Sequence, residues 1–222
     1  MRRGFVIAID GPAGSGKSTT ARLVAQKLGF FHLDTGAMYR AVTLKVIETG
    51  TDLRNRRRLQ ALVKKTRLGL GWLKNQMRVY LDGRDVTSAI RSPKVNELVS
   101  KVSALGCVRA ALVKEQRRLA AGKNIVCEGR DIGSVVFPDA QLKIFLDCDL
   151  QERARRRQKE LGVGRIKLAA VRCNLFERDR IDSRRRLSPL RRSRDALLVD
   201  TTHLTIEEQV ALVCALTKRT AR

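Results

Sequence analysis

The chain contains few aromatic residues and no long apolar segment. Phenylalanine, tryptophan and tyrosine together make up 4% of its 222 residues, which leaves few flat surfaces on which the bases of a single-stranded nucleic acid could stack. No apolar run approaches the roughly 20 residues that a membrane-spanning helix needs. The composition therefore argues against a membrane protein and against a dedicated binder of single strands.

The cysteines give no sign of a metal site or of a disulfide framework. They are five in number, widely spaced, and no two form a C-x-x-C pair. We expect free thiols and a cytoplasmic location. The short apolar run near the N-terminus is expected to be a buried strand rather than a signal peptide.

Positive charge is abundant and unevenly distributed. Lysine and arginine number 46 against 22 acidic residues, a net charge of +24, and the block from Arg54 to Arg67 holds seven basic residues and no acidic one. Such a balance favours polyanionic partners, namely nucleotides, nucleic acids or anionic surfaces. The alternative is a set of solvated, arginine-rich helix faces, which is what we expect for Arg54–Arg58. Contact with nucleic acid is expected only as a weak, charge-driven association.

The most informative segment runs from Gly11 to Ser18 and reads G-x-x-x-x-G-K-S, the phosphate-binding P-loop. An apolar run precedes it and a helical pattern follows it, which is the context that this motif requires. Its backbone N–H groups can cradle phosphates, Lys17 can reach the β- and γ-phosphates of a nucleotide, and the Ser18 hydroxyl can ligate Mg²⁺. We therefore predict an ATP-binding segment comprising Gly11, Pro12, Ala13, Gly14, Ser15, Gly16, Lys17, Ser18 and Thr19.

Strand and helix patterns alternate, which predicts an α/β fold with a central parallel sheet flanked by helices. The predicted strands of that sheet are 5–9, 30–33, 125–127, 142–146 and 197–199. The predicted helices are 17–28, 36–49, 51–65 (capped by Asp52), 93–105, 107–121, 150–161 and 205–218. Short strands at 68–73, 78–81 and 84–87, around an Asp82-Gly83 turn, predict a small antiparallel insertion.

Further motifs follow in a fixed order: Ile9–Lys17, Leu33–Arg40, Ile90–Pro93, Glu128–Gly133, and Arg178-Asp179-x-x-Asp182-x-x-Arg185. With this ordered set the chain resembles the bacterial cytidylate kinases, of the nucleoside-monophosphate kinase group, over about residues 4 to 217. The resemblance implies the P-loop nucleoside-monophosphate kinase fold, with an enlarged monophosphate-binding insert and a mobile lid.

The resemblance also implies a division of labour within a single kinase domain, residues 1–222. The core would be about 1–35, 106–150 and 186–222, the monophosphate-binding region about 36–105 and the lid about 151–185. The implied reaction is transfer of the γ-phosphoryl group of ATP to CMP or dCMP with Mg²⁺. Such a reaction needs converging cations, and the arginine fork binds phosphate oxygens two at a time. We expect a monomer, because mobile acceptor-binding and lid segments need room to close.

Residue roles carry over by matching position. The residues that grip the acceptor phosphate would be Arg40, Arg130 and Arg185, and those near its ribose would be Arg178 and Asp182. Those that read the base would be Ser100, Arg109 and Asp131, while Thr35 and Tyr39 would line the pocket. The groups acting on the transferred phosphoryl would be Lys17, Arg185 and, from the lid, Arg153 and Arg157. Gly162 and Gly164 would provide the hinge of the lid, which also carries Arg156.

Several alternatives stay open at this stage. Asp10 could order the P-loop or bind Mg²⁺, and Asp147 could support a metal or cap a helix. The arginines at 184–192 leave the register of Arg185 open to Arg184 or Arg186. His32 and His203 are expected to be structural, and Asp34 is expected to order a turn. Rival functions are a P-loop kinase for another monophosphate and a basic, nucleotide- or RNA-binding P-loop protein.

Overall fold

A computed structural model describes residues 4–73, 76–162 and 167–220. Its helices are α1 (Lys17–Leu28), α2 (Thr35–Glu48), α3 (Arg56–Lys65), α4 (Pro93–Ser103), α5 (Gly106–Ala120), α6 (Leu150–Leu161), α7 (Leu168–Arg184) and α8 (Ile206–Thr220). Its strands are β1 (Val6–Asp10), β2 (Phe31–Asp34), β3 (Leu68–Leu73), β4 (Gln76–Leu81), β5 (Arg84–Asp85), β6 (Ile125–Gly129), β7 (Leu142–Asp147) and β8 (Leu197–Asp200). A short 3₁₀ turn at Ala89–Arg91 and a π-helical turn at Ile132–Val136 complete the regular structure of these residues.

One predicted helix start, that of α3, and one candidate helix cap, Asp147, are wrong. Helix α3 begins at Arg56 and is capped by Asn55, whose side chain accepts from the Arg58 N–H. Asp52 instead forms a turn of its own, accepting from the Arg54 N–H and pairing with the Arg54 guanidinium. Helix α6 is capped by Asp149, while Asp147 accepts from the neighbouring Cys148 N–H.

The first of two compact units comprises residues 4–32 and 122–220 of the described chain. Its sheet has the strand order β2-β6-β1-β7-β8, and β1 pairs in parallel with both β6 and β7. Buried side chains from the strands, such as Ile7, Ile9 and Ile144, pack with Val24 of α1 and Val213 of α8. The predicted parallel α/β sheet is thereby confirmed, and its central strand β1 is apolar from Val6 to Ile9 because both of its faces are covered.

The second unit comprises residues 33–121. It contains the antiparallel sheet β3-β4-β5, so the predicted insertion is confirmed. Ala41 of α2 packs with Val79, Leu81 and Ile90 in its core. The division into core, monophosphate-binding region and lid stays a prediction, because it concerns function rather than compactness. Within the described ranges, no helix is both long and apolar enough to cross a bilayer.

Candidate phosphoryl-transfer site

The P-loop fills the turn between the end of β1 and the start of α1. Gly14 and Gly16 have φ values of 79° and 88°, in the left-handed region that favours glycine. A side chain on Gly11, at φ 153°, would place its Cβ 2.1 Å from the carbonyl oxygen of Leu146. The loop can therefore run against the neighbouring strand only because glycine lacks a side chain there.

Asp10, the last residue of β1, connects the start of the P-loop to the π-helical turn. Its carboxylate oxygens accept from the N–H groups of Ile132 and Gly133, both at 2.8 Å. Burial raises the pKa of Asp10 to about 6, although these two hydrogen bonds lower it. Both oxygens are thus engaged with the π-helical turn, which favours the loop-ordering alternative for Asp10 over metal binding.

Lys17 is the first residue of α1 and is buried. Its ammonium donates to the Pro12 carbonyl at 2.5 Å and to the Ser15 hydroxyl at 3.3 Å. Burial, followed by the positive charge of Arg130, lowers the pKa of Lys17 to about 7. The ammonium is therefore held inside the loop by neutral acceptors, where a phosphate would be a stronger partner.

Ser18 donates its hydroxyl proton to the Glu128 carboxylate at 2.8 Å, and the other Glu128 oxygen lies 3.3 Å from Nε2 of His32. Burial raises the pKa of Glu128, but the hydrogen bonds and charges of its neighbours, led by His32, outweigh burial and hold it below its ordinary value. Sequence reasoning gave Glu128 no role. The sequence feature that could have indicated a role is a carboxylate near the carboxyl end of the buried strand β6, within the motif Glu128–Gly133.

Arg153 and Asp179 both contact the backbone of the P-loop at Ala13. The Asp179 carboxylate accepts from the Ala13 N–H at 2.9 Å and pairs with the Arg153 guanidinium. Arg153 also donates to the carbonyl oxygens of Ala13 at 3.0 Å and Cys148 at 2.9 Å. Asp179 was another residue without an assigned role, although it stands beside Arg178 in the last motif.

The other arginines predicted to belong to a lid have different partners. Arg157 pairs with Glu160 at 2.7 Å within α6, and Arg156 donates to the Thr201 carbonyl at 2.7 Å. Gly162 follows α6 with φ 93°. Gly164, the second predicted hinge glycine, lies outside the described residues.

Four predicted acceptor-binding residues of the first unit form a row of alternating charge. Arg130 donates to Asp182 at 3.0 Å, Arg185 lies 3.8 Å from Asp182, and Arg185 reaches Asp131 at 3.3 Å. Burial lowers the pKa of Arg130, but carboxylates led by Asp182 outweigh burial and raise it. This alternating row pairs two arginine forks with carboxylates, one fork half-buried (Arg130) and one buried (Arg185).

The same row distinguishes among the three arginines at 184–186. Arg185 is buried, whereas Arg184 and Arg186 are exposed, so Arg185 is the arginine of that triplet that contacts Asp131 and Asp182. Arg178, predicted to lie near the ribose, is half-buried on α7, one turn before Asp182.

The remaining predicted residues belong to the second unit. The guanidinium of Arg109 lies over the Tyr39 ring, 5.4 Å from its centroid, and donates to the Ser103 carbonyl at 3.3 Å. Arg40 donates to the Asn96 side chain at 2.5 Å. Ser100 is buried on α4 and Thr35 is the first residue of α2. Asp34 caps α2 by accepting from the Ala37 N–H at 2.9 Å, which confirms its turn-ordering role.

The first unit contains a P-loop with its lysine directly after the central strand of a parallel sheet, and it also contains buried arginines. Together these features define a P-loop kinase. The family model described as "Cytidylate kinase" matches residues 7–219 of the chain. The chain therefore belongs to the cytidylate kinase family.

Similar proteins support this assignment at high coverage. A cytidylate kinase from Carboxydothermus hydrogenoformans is 49% identical over 207 residues, which cover 92% of this chain and 93% of the relative. One from Caldanaerobacter subterraneus subsp. tengcongensis is 50% identical over 210 residues, covering 93% and 92%. A solved structure of an uncharacterized protein from Eubacterium ventriosum matches with a TM-score of 0.50 at 12% identity, covering 96% of this chain and 98% of that one, and shows the fold alone.

Proposed function

We propose that the protein transfers the γ-phosphoryl group of ATP to CMP or dCMP, giving ADP and CDP or dCDP. The observation that carries this proposal is the ion-paired row Arg130–Asp182–Arg185–Asp131, in the same unit as the P-loop. Burying ionised groups, as Asp131, Asp182 and Arg185 are buried, is costly unless each has a partner. Such a row supplies two arginine forks for phosphate and one carboxylate, Asp131, for an amino group.

The donor side is formed by residues Gly11 to Thr19, whose amides, with the Lys17 ammonium, would hold the ATP phosphates. The Ser18 hydroxyl and Glu128 carboxylate are hard oxygen donors, 2.8 Å apart, and they suit Mg²⁺. Among the described residues no group of three or more His, Cys, Asp or Glu could hold a metal, so Ser18 would share it with the nucleotide. Bound Mg²⁺ would neutralise part of the triphosphate charge.

On the acceptor side, Arg40, Arg130 and Arg185 would grip the monophosphate, and Asp182, with Arg178, would bind the ribose. Lys17, Arg185 and the lid arginines Arg153 and Arg157 would stabilise the charge on the migrating group. The lid, about residues 151–185, would exclude water and thereby suppress hydrolysis of ATP. The contact between Arg153 and the Ala13 carbonyl supports such a role for this arginine.

Base selection would depend on Asp131 and Arg109, assisted by Ser100, with Thr35 and Tyr39 lining the pocket. Cytosine presents an amino group at position 4, which a carboxylate can accept from, and acceptors at N3 and O2, to which an arginine can donate. Uracil reverses the pattern at positions 3 and 4 and would leave a buried carboxylate facing an oxygen. Mismatches of this kind give large discrimination, so we expect CMP and dCMP to be strongly preferred to UMP.

The test is ATP consumption with Mg²⁺ and each of CMP, dCMP, UMP, AMP and GMP, with a blank lacking acceptor. The Lys17→Met variant, purified in the same way, controls for contaminating kinases. Turnover confined largely to CMP and dCMP supports the proposal. Turnover of another monophosphate would overturn the base-reading assignment, and the absence of acceptor-dependent turnover would favour a binding protein.

We also propose that the protein is a cytoplasmic monomer. Its free thiols are consistent with the reducing environment of the cytoplasm.

A further inference from the structure

The outward side of α3 carries an unusual set of cations, far in sequence from the P-loop. Arg57, Arg58, Lys64 and Lys65 are all exposed, while Leu59 packs inward and is 1% exposed. We call these four residues the α3 basic face. Arg57 and Arg58 were expected to form part of a solvated surface, and the structure shows that all four residues are exposed.

The four cations share one side of the helix. Residues seven apart are separated by nearly two full turns, so Arg57 lies behind Lys64 and Arg58 behind Lys65, each pair about 10 Å apart along the axis. The exposed residues between the pairs are Gln60 and the small Ala61. The result is two parallel rows of charge with little bulk between them.

No counter-charge is available nearby in the sequence, because residues 53–81 contain no aspartate or glutamate. None of the four cations forms an ion pair with another described residue. Other arginines of the same unit do pair: Arg54 with Asp52, Arg84 with Glu48, and Arg118 with Glu115. The α3 basic face is thus a set of surface charges without an ion-pair partner among the described residues, and it is open to an anionic partner.

The chemistry of the face selects among polyanions. It offers no aromatic side chain to stack on bases, which disfavours recognition of single strands. Its exposed residues include no large apolar group to enter a bilayer, which disfavours a lipid surface. Lysine and arginine rows without base-reading side chains suit the sugar-phosphate backbone of a duplex. We infer that the α3 basic face binds the phosphate backbone of duplex nucleic acid without reading its sequence.

The inference is independent of the proposed kinase activity, because none of the four residues has a place in the phosphoryl-transfer site. The test measures the fluorescence anisotropy of labelled 20-base-pair RNA and DNA duplexes between about 50 and 200 mM salt. Four released counterions predict a slope of about −3.6 in log K against log salt. The R57Q/R58Q/K64Q/K65Q variant should flatten this slope by about 3.6 and weaken binding by about tenfold or more.

A matched control removes the same charge elsewhere. The R54Q/R78Q/R84Q/R118Q variant also loses four arginines of the second unit, each of which is ion-paired. We expect it to retain the slope of the unaltered protein. Circular dichroism and acceptor-dependent ATP consumption, unchanged in both variants, would show that both are folded.

Equal losses in the two variants would overturn the inference, because net charge rather than the α3 basic face would then govern binding. So would a lack of binding to either duplex at about 50 mM salt. Vesicles containing phosphatidylserine test the remaining alternative, which is binding to a lipid surface. Sedimentation with vesicles that depends on the α3 basic face, together with duplex binding that does not, would assign this face to a membrane instead. Tighter binding to the RNA duplex than to the DNA duplex, or the reverse, would show which nucleic acid the face binds.

Discussion

Lys17 illustrates how a single buried residue can couple nucleotide binding to pH. Burial lowers its pKa to about 7, and its ammonium is held by the Pro12 carbonyl and the Ser15 hydroxyl. A bound phosphate favours the charged form of the lysine. At about pH 8 the free protein holds this side chain mostly neutral, so binding of ADP should take up about one proton and should weaken as pH rises further.

This proton uptake is measured by isothermal titration calorimetry of ADP with EDTA, in two buffers of different ionisation enthalpy. The Lys17→Met variant is the control and should lack the lysine-dependent uptake. Heats that are the same in both buffers for the unaltered protein would contradict the lowered pKa.

The contact between His32 and Glu128 leads to a prediction about the free energy of unfolding. In the folded protein the pKa of Glu128 is below its ordinary value because, although burial raises it, neighbours led by the His32 hydrogen bond lower it more. A depressed carboxyl pKa stabilises the fold above the unfolded pKa, and this stabilisation is lost as pH falls through the folded pKa. His32→Phe should therefore reduce the free energy of unfolding by about 1–3 kcal/mol near pH 7, and by less at a pH low enough to protonate the Glu128 carboxyl group.

Urea unfolding of the variant at the two pH values checks this expectation. His203 is exposed, so His203→Phe serves as a control that should change little. An equal loss at both pH values would mean that His32 acts by packing and not through the Glu128 carboxylate.

At the level of elements, the junction of β1 with the P-loop depends on one glycine. A Cβ on Gly11 would lie 2.1 Å from the Leu146 carbonyl oxygen on β7, whereas one on Gly29, after α1, would meet nothing within 4 Å. Both residues have positive φ, 153° and 67°. Gly29→Ala should thus cost only the left-handed backbone penalty of about 1 kcal/mol.

Gly11→Ala should cost about 3 kcal/mol or more and abolish ATP binding, because the strand end must shift. Denaturant unfolding of both variants, with nucleotide binding measured in parallel, separates steric clash from backbone strain. Similar stability losses in the two variants would show that contact with β7 does not matter.

The accuracy of sequence reasoning differed from element to element for physical reasons. Helices α1 and α6 were predicted with their observed bounds, because a glycine ends each of them, Gly29 after α1 and Gly162 after α6. The start of α3 was wrong because Asp52 and Asn55 are both good caps, and only the structure shows that Asp52 bonds to Arg54 instead.

The same holds within the candidate site. The P-loop lysine and serine were evident from spacing alone. Glu128 and Asp179 were not, because their roles depend on contacts with Ser18 and Ala13, more than 100 residues away in the chain. Motif matching locates residues that touch ligands more readily than residues that hold those residues in place.

For the whole molecule, the net charge of +24 implies strong self-repulsion in the folded state. Raising the ionic strength from about 0.01 to 0.15 M shortens the screening length from about 30 to 8 Å. The unfolding temperature in sodium chloride should therefore rise over this range. The R57Q/R58Q/K64Q/K65Q variant, with four fewer positive charges, should show a smaller rise. A fall in unfolding temperature would mean that attractive pairs, not repulsion, dominate.

The central claim is that the chain moves a phosphoryl group onto a cytidine monophosphate. The most direct measurement follows ATP labelled at its γ-phosphate, incubated with Mg²⁺ and CMP, and identifies the labelled product. We predict that the label appears in the β-phosphate of CDP, with one ADP formed per CDP and little free phosphate. Label released mainly as inorganic phosphate, at a rate independent of CMP, would contradict the account.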